Sequence, residues 1–130
     1  MSTPGFLIDE NMPPVIAVQV RQHEPRMFSL DKNTRIRALA IGQPEAPSRG
    51  TPDPQLLCWI EEHGYLLVTN NRTSMPGHLR DHLATNRHIP GILVAPFPLD
   101  IGALIEELIL VWGASQPGEY QDQIVYLPLR

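Results

Sequence analysis

A short apolar stretch near the amino terminus ends in two acids, and two prolines follow within a few residues. It reads FLIDENMPP over residues 6–14. The apolar start predicts a strand over residues 5–9, and the prolines suit the first turn of a helix over residues 13–23. Asp9 and Glu10 then lie at the carboxyl end of the first strand, where open α/β sheets place their ligand sites. Hard cations such as Mg²⁺ and Mn²⁺ prefer carboxylate oxygens there.

Bulk composition indicates one globular domain spanning residues 1–130. The chain is 42% hydrophobic and 18% charged, with a formal net charge of −4. These values exclude a disordered chain and a large basic surface for nucleic acid, although a local basic patch is still allowed. Cys58 is the single cysteine, so no intrachain disulfide forms, and we expect a buried structural thiol. The chain has neither a signal-peptide pattern nor an apolar run long enough for a membrane, which predicts a cytoplasmic protein.

Strand and helix patterns alternate along the rest of the chain. Pro and Gly cluster in a loop over residues 42–54, and an apolar run over residues 65–69 is typical of a central parallel strand. The remaining predictions are a strand over 26–30, a helix from Asp53 to Gly64, a helix over 76–86, a strand over 91–95, a helix over 101–113 capped by Asp100, and a strand over 123–127. This order predicts an α/β fold, a three-layer α/β/α sandwich with a mostly parallel central sheet.

Three acidic or polar segments should meet at one edge of that sheet. Right-handed crossovers bring the ends of the strands over residues 5–9 and 65–69 to the same edge. Asp9 and Glu10, Asp53 at its helix start, and the polar residues after Thr69 would converge there. Converging carboxylates bind a divalent cation, which can activate water and neutralise charge on a phosphate.

The chain resembles a known family at these segments. The strings FLIDENMPP, TPDPQLLCWIEEHG and YLLVTNNR, with the longer TNNRTSMPGHLRDHL and the carboxyl-terminal tail, look like the PIN-like domains of bacterial toxin–antitoxin loci. Those domains are relatives of the VapC-type ribonucleases, and the resemblance covers roughly residues 5–127. It implies a three-layer α/β/α fold, Mg²⁺- or Mn²⁺-dependent cleavage of RNA, and a small antitoxin-like protein as partner. By the same resemblance, Asp9 is the first metal ligand, Glu10 completes an acid pair, and Asp53 is the acid at the start of the middle helix.

The match changes after the central strand. The family commonly has a Thr-x-Asp-x-Asp pattern there, and this chain has Asn71 and Thr73 at the acid positions. Asn71 enters the predicted metal site as a neutral oxygen ligand, which is weaker than a carboxylate for a hard cation. Two hypotheses follow: a metal-dependent ribonuclease, and a catalytically weakened PIN-like module that binds a partner protein or RNA without turnover.

Further residues are predicted to contact substrate phosphates: Thr69, Arg72, His78 and Arg80. Residues 72–88 would form a local basic lip, suited either to RNA phosphates or to an acidic partner protein. The apolar helix over 101–113 can serve an interface as well as the core, which includes a possible homodimer.

Most of these residues also have a purely structural explanation. Asp9 can accept hydrogen bonds from the amides of the following helix, and Glu10 can be a solvated acid. Asp53 is explained as a helix N-cap, and Asn70 and Asn71 suit a turn with positive φ. A receiver-like signalling domain is disfavoured, since the chain lacks a phosphoacceptor Asp after a middle strand and a Lys after residues 91–95.

Overall fold

A computed structural model describes residues 5–23, 36–116 and 118–129 of the chain. Within these residues five strands alternate with four helices. The elements, in chain order, are β1 (Gly5–Ile8), α1 (Val15–Gln22), β2 (Ala38–Ala40), α2 (Asp53–His63), β3 (Tyr65–Thr69), α3 (Met75–Ala84), β4 (Ile92–Val94), α4 (Ile101–Ala114) and β5 (Ile124–Tyr126).

The strands form one sheet in the order β2-β1-β3-β4-β5, and every neighbouring pair is parallel. β1 and β3 lie side by side, with Ile8 opposite Val68. The chain first steps from β1 to β2 on one side, then crosses back to β3 on the other side. The gap between β1 and β3 is therefore the topological switch point, where open α/β sheets bind ligands beyond their carboxyl ends.

Two helical layers enclose this sheet, which confirms the predicted α/β/α sandwich. Helices α1 and α4 contact each other over one face, and α2 and α3 contact each other over the other face. The strand residues alternate between the two layers: Phe6 and Ile8 pack in the core under α1 and α4, whereas Leu7 packs under α2 and α3. β1, β3 and β4 are almost completely buried, as expected for strands covered on both faces.

The last crossover differs from the others in hand. α3 and α4 both connect a strand to its next neighbour in the same direction along the sheet, yet they lie on opposite faces. The β4–α4–β5 connection therefore has the opposite hand to the β3–α3–β4 connection. Since parallel crossovers are right-handed in nearly all folds, this geometry could not be anticipated from the order of elements.

Most predicted elements are present with slightly different ends. The prediction of a strand over residues 26–30 falls outside the described residues. The strand β2 at Ala38–Ala40 was missed, because Ala-Leu-Ala has low β propensity and pairs only at the sheet's edge. Two predicted ends are confirmed: Gly64 ends α2 with φ of 74°, and Asp100 caps α4 by accepting the Ala103 amide at 3.0 Å. None of the described helices has the length and apolar character needed to cross a membrane.

Candidate functional site

Asp9 lies at the carboxyl end of β1 and is only 6% exposed. Its backbone amide continues the sheet ladder to the carbonyl of Val68 in β3. Its carboxylate accepts a short hydrogen bond of 2.6 Å from the hydroxyl of Thr69, which ends β3. Among the described residues, no amide of the following helix donates to this carboxylate, so helix capping does not explain Asp9. The acid is instead held between the two central strands.

Thr69 also connects Asp9 to the loop that follows β3. Its side chain is fully buried, and its Oγ1 accepts the backbone amide of Asn71 at 3.0 Å while donating to Asp9. The Asn71 side chain then donates from Nδ2 to Oδ2 of Asp53 at 3.3 Å. A continuous hydrogen-bonded path therefore connects Asp9 on β1 to Asp53 on α2. The structure brings together the two acids that the sequence predicted to converge.

The prediction of Asp53 as a helix N-cap is wrong. Pro52 occupies the N-cap position, and Asp53 is the first residue of α2, with no side-chain capping hydrogen bond. Pro54 follows within the first turn, where a residue without an amide hydrogen is tolerated. The Asp53 carboxylate points instead to Asn71 and to Nε2 of His78 at 3.6 Å. Its position is therefore determined by the residues at the carboxyl edge and not by its own helix.

Asn71 organises the loop between β3 and α3. Its Oδ1 accepts the backbone amides of Thr73 and Ser74 at 3.2 and 3.1 Å, and its Nδ2 also donates to the Ser74 hydroxyl at 2.7 Å. A metal-ligand role would require that same amide oxygen. In the structure Asn71 therefore acts as a donor to Asp53 and as a turn residue.

Glu10 connects the site to the proline-rich loop over residues 42–54. Its Oε1 accepts the backbone amide of Gly50 at 2.9 Å. The contact joins residues 40 positions apart in the chain and is exposed. Glu10 is thus a fixed acid at the rim of the site, with its second oxygen facing no donor among the described residues.

The residues predicted to contact substrate phosphates lie at different distances from the two acids. His78 lies in the first turns of α3 beside Asp53, within the site. Arg72 donates to the backbone carbonyl of Ala95 at 2.9 Å and so bridges the ends of β3 and β4. Arg80 is highly exposed and pairs only loosely with Asp81 at 3.8 Å. Such an exposed pair contributes little to stability.

The predicted basic lip over residues 72–88 does not form as one surface. α3 runs away from the carboxyl edge, so His82 near its end, and Arg87 and His88 just after it, lie at the opposite edge, where the strands begin. There the buried His82 lies 2.9 Å from Glu61, which also accepts from Arg87 at 2.9 Å. Burial acts to raise the pKa of Glu61, but the hydrogen bonds from His82 and Arg87 outweigh it and lower that pKa. The Arg87 charge is therefore paired with a protein acid.

Cys58 lies beside this opposite-edge group and is only half-buried. Its Sγ is 2.9 Å from a guanidinium nitrogen of Arg87. The expectation of a buried thiol is therefore wrong, because Cys58 lies at the border between the buried and the solvent-exposed faces of α2.

The site's electrostatics favour both a cation and an anion. Helices α2 and α3 both begin at the carboxyl edge, so their amino-terminal dipoles stabilise nearby negative charge. Oδ1 of Asp9 and Oδ1 of Asp53 have no hydrogen-bond donor within the described part of the chain. No group of three His, Cys, Asp or Glu side chains in residues 5–23, 36–116 and 118–129 is arranged to hold a metal ion.

Two members of the site were missed by the sequence analysis. Ser74 lies just before α3, a position that favours hydroxyl side chains and was a usable signal. Gly50 contributes only a backbone amide from a distant loop, and no sequence pattern identifies such a contact.

Comparison of the chain with protein-family models, curated proteins and solved structures found no match.

Replacing Thr69 with Val tests the central hydrogen bond. The variant keeps the side chain's shape but leaves the buried Asp9 carboxylate without its donor. We expect the free energy of unfolding to fall by about 1–3 kcal/mol in urea denaturation. Thr69→Ser keeps the hydroxyl and should lose less, and Thr73→Val, at an exposed position, should lose almost nothing. Equal stability of Thr69→Val and the parent would contradict the importance of this bond.

Asp122, at the opposite edge, generates a prediction about pH. Burial acts to raise its pKa, but hydrogen bonds from His88 at 2.6 Å and from the Ile89 amide at 2.8 Å lower it below the ordinary 3.8. A carboxyl with a lowered folded-state pKa stabilises the fold above its ordinary pKa and loses that contribution as pH falls through the lowered value. Acid should therefore destabilise the parent more than Asp122→Asn.

The measurement is the free energy of unfolding at about pH 7 and about pH 3, for the parent and the variant. Asn is well suited to the exchange, because it retains the oxygen that accepts the Ile89 amide and tolerates the φ of 60° at this position. Asp81→Asn, at an exposed acid on α3, is the matched control. An identical loss of stability in parent and Asp122→Asn would show that the pair with His88 contributes nothing.

Proposed function

We propose that this protein is a Mg²⁺- or Mn²⁺-dependent ribonuclease that hydrolyses phosphodiester bonds at the carboxyl edge of its sheet. One observation carries the proposal: Asp9 and Asp53, from different elements, are joined through Thr69 and Asn71 at the switch point between β1 and β3. Burying an acid such as Asp9 with one hydroxyl partner is costly unless the charge has a use or a further partner.

The two acids suit a magnesium-type cation. Mg²⁺ is commonly held by one or two carboxylates and completes its shell with waters and substrate phosphates, so a three-acid cluster is not required. Asp9 and Asp53 each have one oxygen without a donor among the described residues, and these oxygens would hold the cation. Such a cation supplies an activated water and neutralises charge on the phosphate.

The remaining residues have distinct roles in this proposal. Glu10, whose second oxygen faces no donor among the described residues, would accept a proton from the attacking water. His78 beside Asp53 and the amide groups at the start of α3 bind phosphate oxygens. Thr69 and Asn71 position the two acids and do not touch the substrate. Arg72 holds the ends of β3 and β4 together and presents its charge at the same edge.

The resemblance to PIN-like domains supports the same activity, since it also implies an α/β/α sandwich and metal-dependent RNA cleavage. On that basis we further propose a cytoplasmic protein that pairs with a small antitoxin-like protein and has RNA as its substrate. A second copy of the chain is an additional candidate partner.

A second function is favoured by one specific observation. The positions at which the resembled family carries further acids hold Asn71 and Thr73, and the Asn71 oxygen is engaged by backbone amides. A site with two acids suits a PIN-like module that binds RNA or a partner protein without turnover. Binding of RNA with no cleavage in the presence of Mn²⁺ would select this function.

The test is the thermal stability of the parent and Asp9→Asn with and without Mn²⁺ or Mg²⁺, followed by RNA cleavage. A cation that binds only the folded state, present at a concentration of a hundred times its Kd, stabilises that state by about 2.7 kcal/mol. For a domain of this size this corresponds to an increase in Tm of several degrees. We expect this increase in Tm in the parent, its loss in Asp9→Asn, and the loss of cleavage with it.

Asp81→Asn is the control, since it removes an equal charge from an exposed position on α3. It should keep both the increase in Tm and the cleavage. Full cleavage by Asp9→Asn would overturn the proposal, as would a cation-induced increase in Tm of equal size in parent and Asp9→Asn.

A further inference from the structure

A highly exposed aromatic ring lies close to the candidate site. Phe97 follows β4 at the carboxyl edge of the sheet and is 90% exposed, between Pro96 and Pro98. Leu99 in the same loop is also exposed. A large apolar side chain left almost fully in water buries little area and so contributes little to the stability of the fold, which leaves the Phe97 ring accessible to a ligand.

A second exposed aromatic ring ends the neighbouring strand. Tyr126 ends β5 opposite Val94 of β4 and is 49% exposed. The guanidinium of Arg72 lies 5.6 Å from the centre of its ring, within the range of a cation–π interaction. Because Arg72 also donates to the carbonyl of Ala95, the cation and the ring are held in fixed relation. The result is a preorganised, half-open pair of flat groups.

Phe97 and Tyr126 lie at the same carboxyl edge of the sheet as Asp9 and Asp53. The amide of Ala95 donates to the carbonyl of Thr69, so the loop that carries Phe97 starts beside the residue that holds Asp9. Neighbouring strands are about 4.8 Å apart, which places the end of β5 roughly 10 Å from the end of β3. A linear polymer that lies across the carboxyl edge at the acids therefore also passes over the ends of β4 and β5.

We propose that Phe97 and Tyr126, with Arg72, form a stacking surface for unpaired bases of single-stranded RNA. The inference rests on the proposed function, because it takes RNA as the molecule that crosses this edge. Aromatic rings and guanidinium planes are the groups on which proteins stack splayed bases. The bases of a duplex are stacked on one another and cannot occupy this surface, so the site selects single strands.

The choice of bases over an apolar protein segment follows from the shape and charge of the surface. Tyr126 lies beside the Arg72 cation, and Phe97 follows the neighbouring strand at the same edge. The acids and helix amino termini at this edge are the groups that the proposed function assigns to phosphate chemistry. Stacking of this kind tolerates every base, since every base has a π face. The surface therefore increases affinity for RNA and favours single strands over duplexes, with little preference for sequence.

The test is equilibrium binding of a fluorescent single-stranded RNA oligonucleotide, measured in EDTA so that turnover plays no part. We expect Phe97→Ala to weaken binding by about 5- to 150-fold, the range for losing one stacked base. Phe97→Trp keeps a flat ring and should bind as well as the parent, whereas Phe97→Leu keeps apolar area and should resemble Phe97→Ala. Leu110→Ala is the control, since Leu110 is also an exposed apolar residue, at 49%, but lies about 14 Å along α4 from this edge.

An oligonucleotide with abasic positions separates stacking from other contacts. It should bind the parent more weakly than the intact strand, and Phe97→Ala should bind both nearly alike. Equal binding of intact RNA by parent and Phe97→Ala would overturn the inference, as would equal losses in Phe97→Ala and Leu110→Ala, restored binding in Phe97→Leu, or no binding of RNA by the parent.

Cleavage is measured separately with Mn²⁺, so the two proposals can fail independently. Ring-dependent binding without cleavage keeps the stacking surface and removes the nuclease. Cleavage by the parent with unchanged binding in Phe97→Ala keeps the nuclease and removes the stacking surface.

Discussion

The hydrogen bond between Thr69 and Asp9 is the contact on which the arrangement of this edge depends. It joins the ends of β1 and β3, the two central strands, at the point where the chain changes direction across the sheet. The same hydroxyl accepts the Asn71 amide, so it also sets the start of the loop that reaches Asp53. The other oxygen of this buried carboxylate has no donor in the described chain, so it is available to a ligand.

Local sequence signals predicted the parts of the fold that depend on local chemistry. Gly64 ends α2 because only glycine adopts its positive φ without strain, and Asp100 begins α4 because its carboxylate caps the first turn. The apolar run of β3 identified a strand covered on both faces. With the acids after β1, these signals were enough to place Asp9 and Asp53 at one edge.

The features that the sequence did not predict depend on contacts between distant residues. β2 is a strand because it pairs with β1, not because Ala-Leu-Ala favours one. Pro52, not Asp53, occupies the N-cap position of α2, and the Asp53 carboxylate accepts its hydrogen bond from Asn71 in the loop after β3. Arg87 and His88, which follow α3, lie at the opposite edge and contact Glu61 and Asp122 there, because a helix in this fold carries its two ends to opposite edges of the sheet.

A cation site between β1 and β3 is tested most directly by the paramagnetic broadening that Mn²⁺ causes in the backbone amide resonances of the folded protein. Binding at the acids predicts that sub-stoichiometric Mn²⁺ broadens amides near residues 9–11, 53–55 and 69–74 and leaves the opposite edge sharp. Broadening centred on Glu61 and Asp122, or no selective broadening at all, would contradict a cation site between β1 and β3.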